Sequence, residues 1–264
     1  MVNIQKAAVI GCGFVGSTIA YTLMQKGLFS EMVLLDANKA KAEGEAMDIS
    51  HGLPFTHAMD IYAGEYEDIA DASVVIITAG ANQKPGETRL DLVQKNAAIM
   101  RSIIKEIKRV NCEGILLIVS NPVDILTEVA LRESGFPKER VIGSGTVLDT
   151  ARLKYIISEK LDVDSRNVHA FIVGEHGDSE LAAWSCANIY GIKLQDFAKM
   201  RGYEHFAQDM EEVYKGVRDS AYEIIERKGA TYYGIGMAAE KIVEAIVRNS
   251  NTLRFRYRLM ENTD

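Results

Sequence analysis

Over roughly the first 145 residues, apolar positions fall into short unbroken runs separated by stretches with helical spacing. Residues 6–10, 32–36, 60–63, 73–80, 114–122 and 140–145 read as six strands. The spacing predicts helices over 14–25, 39–49, 90–110 and 123–134. Apolar runs without alternation suit strands covered on both faces, and helical crossovers imply parallel pairing. The expected fold class is therefore α/β, a doubly wound parallel sheet of the dinucleotide-binding kind.

The pattern then changes. A helix is predicted over 148–161, a strand over 168–173, and a helix over 234–248. Met210, Val213, Val217, Ala221 and Ile224 recur at helical spacing and mark one face of a long helix. We expect two domains, 1–145 for the dinucleotide and a mixed α+β substrate domain over 146–264. No repeat or low-complexity linker interrupts the chain.

Composition narrows the classes of function. The 264 residues include 47% apolar and 25% charged residues, which are ordinary globular values. A net charge of −7 without a dense Lys/Arg stripe argues against nucleic acid or an anionic membrane as partner. Cys12, Cys112 and Cys186 have neither a disulfide framework nor a zinc spacing, so a reducing cytoplasm and no metal are expected. The N-terminal apolar run is too short for a signal peptide, and no stretch reaches the length of a membrane span.

The segment "GCGFVG" puts Gly11, Gly13 and Gly16 in the pattern G-x-G-x-x-G, after a strand and opening a helix. Asp36 follows twenty residues beyond Gly16, at the end of the second strand. The first glycine allows a tight turn, the second a close backbone approach to pyrophosphate, and the third close helix-to-strand packing. A carboxylate at that strand end accepts hydrogen bonds from ribose hydroxyls and repels a 2′-phosphate. This context predicts NAD in preference to NADP.

Other polar groups cluster at strand ends and loops. "GEHGDSE", residues 174–180, brackets His176 with glycines. Either it is a tight surface turn that contains a histidine, or the glycines let a substrate approach the ring. Asp149 and Arg152 stand three apart at a helix start and share a face, as a surface ion pair would. Arg89, read alone, fits a solvated helix charge.

Taken together, "GANQKPGETRLDLV", "SNPVDILT", "GSGTVLDTARL" and "GEHGDSELAAWS" resemble the L-lactate/malate dehydrogenase family from Val2 to about Thr252. The resemblance implies reduction of a 2-oxo acid by NADH, with His176 as proton carrier and Asp149 fixing its tautomer. Arg152 would grip the substrate carboxylate, and Arg89, on a mobile lid, would stabilise charge on the reacting oxygen. Asn121, ahead of a cis-prone proline, and Thr231 would line the substrate. Beyond the three glycines and Asp36, it implies cofactor contacts at Phe14, Val15, Lys41, Tyr66, Gly80, Ala81, Val119 and Asn121.

Gln83 occupies a lid position where malate-type members carry arginine, which implies pyruvate and L-lactate as the substrate pair. The alternatives are a malate-type enzyme or an NAD-binding chain with little turnover. Many bacterial members bind fructose 1,6-bisphosphate between subunits through a basic residue and a histidine that align with Lys154 and His169. Read alone, Lys154 is an exposed helix charge and His169 a strand residue. A homo-oligomer, dimer or tetramer, is implied.

The resemblance stops where family members continue. Residues 253–264 carry Arg254, Arg256 and Arg258 where the family has an apolar strand, and a slip of reading frame is compatible with the sequence. We therefore expect an incomplete substrate domain, a poorly packed tail, and an uncovered apolar face on the helix around 210–225, with activity far below that of longer members.

Overall fold

The computed structural model describes residues 1–81 and 86–250. They form two compact units. One comprises residues 1–144 with the helix Tyr233–Val247, and the other residues 145–231. The expected second domain, 146–264, thus yields its last helix to the first unit.

In the first unit the strands are β1 (Asn3–Ile10), β2 (Glu31–Leu35), β3 (Asp60–Ala63), β4 (Ala72–Ile77), β5 (Ile115–Ile118) and β6 (Val141–Gly143). They form one parallel sheet in the order β3-β2-β1-β4-β5-β6. Helices α1 (Phe14–Lys26), α2 (Lys39–Ser50), α3 (Arg89–Arg109) and α4 (Val123–Ser134) provide the crossovers. The order reverses between β1 and β4, the switch point at which such sheets hold ligands beyond their carboxyl ends.

The unbroken apolar runs are explained by this burial. Val9, Val75, Ile76 and Leu116 lie in strands covered on both sides and expose nothing to solvent. On one side the core is closed by Met100, Ile104 and Ile107 of α3, spaced along one face of that helix. A reciprocal capping box between Thr88 and Asp91 starts α3. Gly27 and Gly135, at positive φ, end α1 and α4.

The second unit begins with α5 (Val147–Leu161). Its short strands are β7 (Val168–His169), β8 (Ile172–Val173), β9 (Leu181–Ala182), β10 (Asn188–Ile189) and β11 (Ile192–Lys193), followed by α6 (Leu194–Met200) and α7 (Phe206–Lys228). The single strand expected over 168–173 is two. β7 pairs antiparallel with β10, whereas β8 pairs with β9. The break has a cause at the start of α5: Thr146 Oγ1, at its N-cap, donates to the Ile172 carbonyl at 2.7 Å, and the Ile172 N–H donates to Thr150 Oγ1 at 3.0 Å.

On α7, Met210, Val213 and Val217 are buried in this unit's core with Leu153, Ile157 and Ile189. Farther along, Tyr222, Ile224 and Ile225 are exposed. The last helix, α8 (Tyr233–Val247), packs on α1. A Cβ added at Gly236 would lie 2.5 Å from Thr18 Cγ2, so any larger residue would force Thr18 to move at that crossing. Among the described residues, no helix is long and apolar enough to cross a membrane.

Candidate active site

In the first unit the loop from Gly11 to Gly16 joins β1 to α1. Gly11 has φ +103°, and a Cβ there would lie 2.6 Å from the Ala79 backbone nitrogen. A Cβ on Gly16 would lie 1.8 Å from the Gly11 carbonyl oxygen. Around Gly13 a Cβ would meet nothing within 4 Å. Two glycines therefore permit packing, and the middle one leaves the outer side of the loop open. Gly13 is also the N-cap of α1, with no side-chain cap and no acidic residue in the first turn. The helix start is thus a suitable place for an anion such as a pyrophosphate.

Asp36 follows β2, and its carboxylate holds the loop from the other side. Oδ2 accepts the Cys12 N–H at 2.7 Å and Oδ1 accepts the Asn38 N–H at 2.9 Å. Each oxygen keeps a further lone pair for a ribose hydroxyl. Phe14 is exposed and stacks on Tyr232, with ring centroids 5.2 Å apart. Val15 and the half-buried Tyr66 flank the same end of the sheet, while Lys41 is exposed in the first turn of α2.

Gly80 and Ala81 follow β4, and Val119 and Asn121 follow β5. The two loops are tied by Asn96 of α3, which our reading of the sequence did not single out. Its Oδ1 accepts the Ala81 N–H at 2.8 Å and its Nδ2 donates to the Asn121 carbonyl at 2.9 Å. Its signal was an amide on the otherwise apolar face of α3, beside Ala97 and Met100. The Asn121–Pro122 bond is cis. Arg89 is the exposed first residue of α3. Gln83 lies outside the described residues, as does the segment 253–264.

In the second unit α5 carries Asp149 and Arg152, and the turn after β8 carries His176. Gly174 at φ +97° and Gly177 at φ +124° shape this turn, with no close neighbour to forbid a side chain. The opening alternative of a simple surface turn does not describe it. Asp149 is only 2% exposed, and its Oδ2 lies 2.6 Å from His176 Nδ1. Its Oδ1 accepts from Arg152 Nη1 at 2.8 Å, so a single carboxylate holds both cationic groups. Thr231 is half-buried after α7, Lys154 lies on α5, and His169 is exposed on β7.

The electrostatics follow from that arrangement. Burial alone would push Asp149 up, but the hydrogen bond and charge of His176, then the charge of Arg152, hold it below the usual aspartate range. Burial pulls His176 down, and the hydrogen bond and charge of Asp149 outweigh it, so the imidazole binds its proton more tightly than usual.

Glu180, a second residue not singled out from sequence, joins this cluster. One ligand atom each of Asp149, His176 and Glu180 lies within 4.8 Å of the others, the one such group among the described residues close enough for a cation. A cation there would have to displace the short Nδ1–Oδ2 contact.

Comparison with known proteins gives the family. Residues 5–143 match the family model of the lactate/malate dehydrogenase NAD-binding domain, and residues 146–257 that of the lactate/malate dehydrogenase α/β C-terminal domain. An L-lactate dehydrogenase of Acetivibrio thermocellus is 56% identical over 250 residues, covering 95% of this chain and 79% of that protein. One from Priestia megaterium is 54% identical, covering 94% and 78%. Among solved structures, a lactate dehydrogenase from a Medee basin deep-sea metagenome superposes with a TM-score of 0.92 at 53% identity, over 96% of this chain and 80% of that one. The minor L-lactate dehydrogenase of Enterococcus mundtii reaches 0.94 at 46% identity, over 97% and 82%.

Proposed function

This chain belongs to the lactate/malate dehydrogenase family, and we propose that it works as an L-lactate dehydrogenase, moving a hydride reversibly between NADH and pyruvate. The observation that carries this reading is the buried Asp149 carboxylate, which holds His176 on one oxygen and Arg152 on the other. When bound, NADH supplies the hydride. The chain's own residues supply everything else.

With Nδ1 held by Asp149, His176 carries the transferable proton on Nε2. It gives that proton to the oxygen of the reduced carbonyl and takes it back from the lactate hydroxyl in the reverse direction. The tight hold on the proton favours the imidazolium, the form that can donate. Arg152, steadied by Asp149, offers the rest of its planar fork to the substrate carboxylate. Arg89 stabilises negative charge on the reacting oxygen, and Asn121 and Thr231 complete the substrate contacts.

Asp36 favours NAD over NADP, because a 2′-phosphate would meet its carboxylate. Gln83 favours pyruvate, since a neutral amide suits a methyl group and the second carboxylate of oxaloacetate calls for a cation. The same family reading carries a fructose 1,6-bisphosphate response at Lys154 and His169 in a homo-oligomer. A pyruvate KM unmoved by the bisphosphate removes that part.

The test is kcat/KM of the 264-residue chain for pyruvate and for oxaloacetate, with NADH and with NADPH. The expected order is pyruvate with NADH first. Preference for oxaloacetate makes the chain malate-type, and NADH binding without turnover leaves it a nucleotide-binding chain.

A further inference from the structure

We propose that Glu180 is a positioning residue for this reaction: its carboxyl group shares a proton with that of Asp149, and its charge state sets how tightly His176 holds its own proton. The inference rests on the role given to His176 above.

Glu180 is only 3% exposed. Its N–H donates to the Gly177 carbonyl at 3.1 Å, and its own carbonyl accepts from the Tyr214 hydroxyl. The backbone on both sides of the side chain is therefore anchored, once by its own turn and once by α7. From α5 the group that faces it is Asp149, which also holds Arg152, and from its own turn His176. From α7 comes Tyr214, with the Arg218 guanidinium 5.6 Å from the centre of that ring.

Two carboxylates this close cannot both ionise cheaply, so the pair holds one proton over a range of pH. Asp149 has the stronger claim to the charge, because it binds both His176 and Arg152 directly. The proton accordingly rests on Glu180, whose burial and the neighbouring Asp149 charge push it up to about 7. As an acid, Glu180 leaves the negative charge to Asp149, with one carboxyl oxygen of each within 4.8 Å of the other. Once ionised, it adds a second negative charge beside the imidazole and raises its proton affinity. His176 then stays protonated to a higher pH than one carboxylate would allow, which extends pyruvate reduction on the alkaline side.

Glu180→Gln keeps the size and the hydrogen-bond donor but cannot ionise. In the 264-residue chain it should move the alkaline limb of kcat/KM for pyruvate down by about one pH unit, with the two profiles converging at acid pH. The His176 imidazole titration, followed by NMR and assigned with His176→Asn, should move by the same amount and requires no turnover. Glu180→Asp, which retains a carboxyl, should recover most of the shift.

An unmoved imidazole titration in Glu180→Gln overturns the proposal, and so does Glu180→Asp behaving like Glu180→Gln. A moved titration in a chain that does not reduce pyruvate overturns the functional reading and leaves the proton sharing standing. If Glu180→Gln fails to fold by thermal melting, the comparison of wild type with Glu180→Asp decides: a single sharp imidazole step in both, without the broadening of a coupled carboxyl, overturns it.

Discussion

The nucleotide loop, residues 11–16, and the histidine loop, residues 174–180, are both short and glycine-bearing, yet their glycines serve different ends. At Gly11 and Gly16 a side chain is excluded by backbone atoms less than 3 Å away. At Gly174 and Gly177 no such neighbour exists, and the positive φ is the constraint. The first loop presents backbone N–H groups, so its chemistry depends on how closely the chain can pack. The second presents an imidazole, and its chemistry depends on which side chains converge on it from α5 and from Glu180. A loop of the first kind is specified by neighbours in sequence, and one of the second by neighbours in space.

That contrast breaks most sharply at the imidazole. His176→Asn should lower kcat for pyruvate by about 10²–10⁴-fold while NADH binding stays intact. Turnover and an NADH titration on the same preparation check it. A joint loss of both would mean that the two loops are not separable.

Gly16→Ala tests the packing loop. With backbone 1.8 Å from the new Cβ, it should cost about 3 kcal/mol or more in stability and abolish NADH binding, read by chemical denaturation and by nucleotide fluorescence. Gly177→Ala has room for its methyl group and suffers only the backbone strain, about 1–3 kcal/mol, with NADH binding unchanged. Equal penalties for the two substitutions would erase the distinction.

The smallest effect lies in pH. Asp149 is held below its ordinary 3.8, so its share of stability is present above that value and lost as pH falls through its lower folded value. His176 is held above its ordinary 6.5, so its share is present below 6.5 and lost as pH rises through its raised value. The gap in Tm between wild type and His176→Asn should therefore be widest between pH 3.8 and 6.5 and narrow on both sides. A gap that does not vary with pH would deny the pair its electrostatic part.

Much of the first unit was legible in the chain itself. Runs such as that ending in Val75–Ile77 can only be strands buried on both faces, and the glycines with Asp36 sit at a spacing that one strand-turn-helix unit explains. The histidine site was legible only through resemblance. Asp149 and His176 stand 27 positions apart, and no local pattern says that one carboxylate holds both the imidazole and Arg152. Asn96 was hidden inside a helix face, and Glu180 inside a turn that reads as solvated.

Sequence alone therefore determined what short-range physics dictates. Hydrophobic period sets strand or helix, capping groups set where α3 begins, and glycine sets where the backbone turns or approaches closely. Only tertiary structure decided that residues 168–173 split into two strands, because Thr146, the N-cap of α5, and Thr150 within it claim the polar groups of Ile172. It also placed α8 on α1, through a fit at Gly236 that sequence order does not hint at. And it gave His176 its proton affinity, since that depends on charges and burial supplied by α5 and by Glu180, and a titration responds to what is near in space.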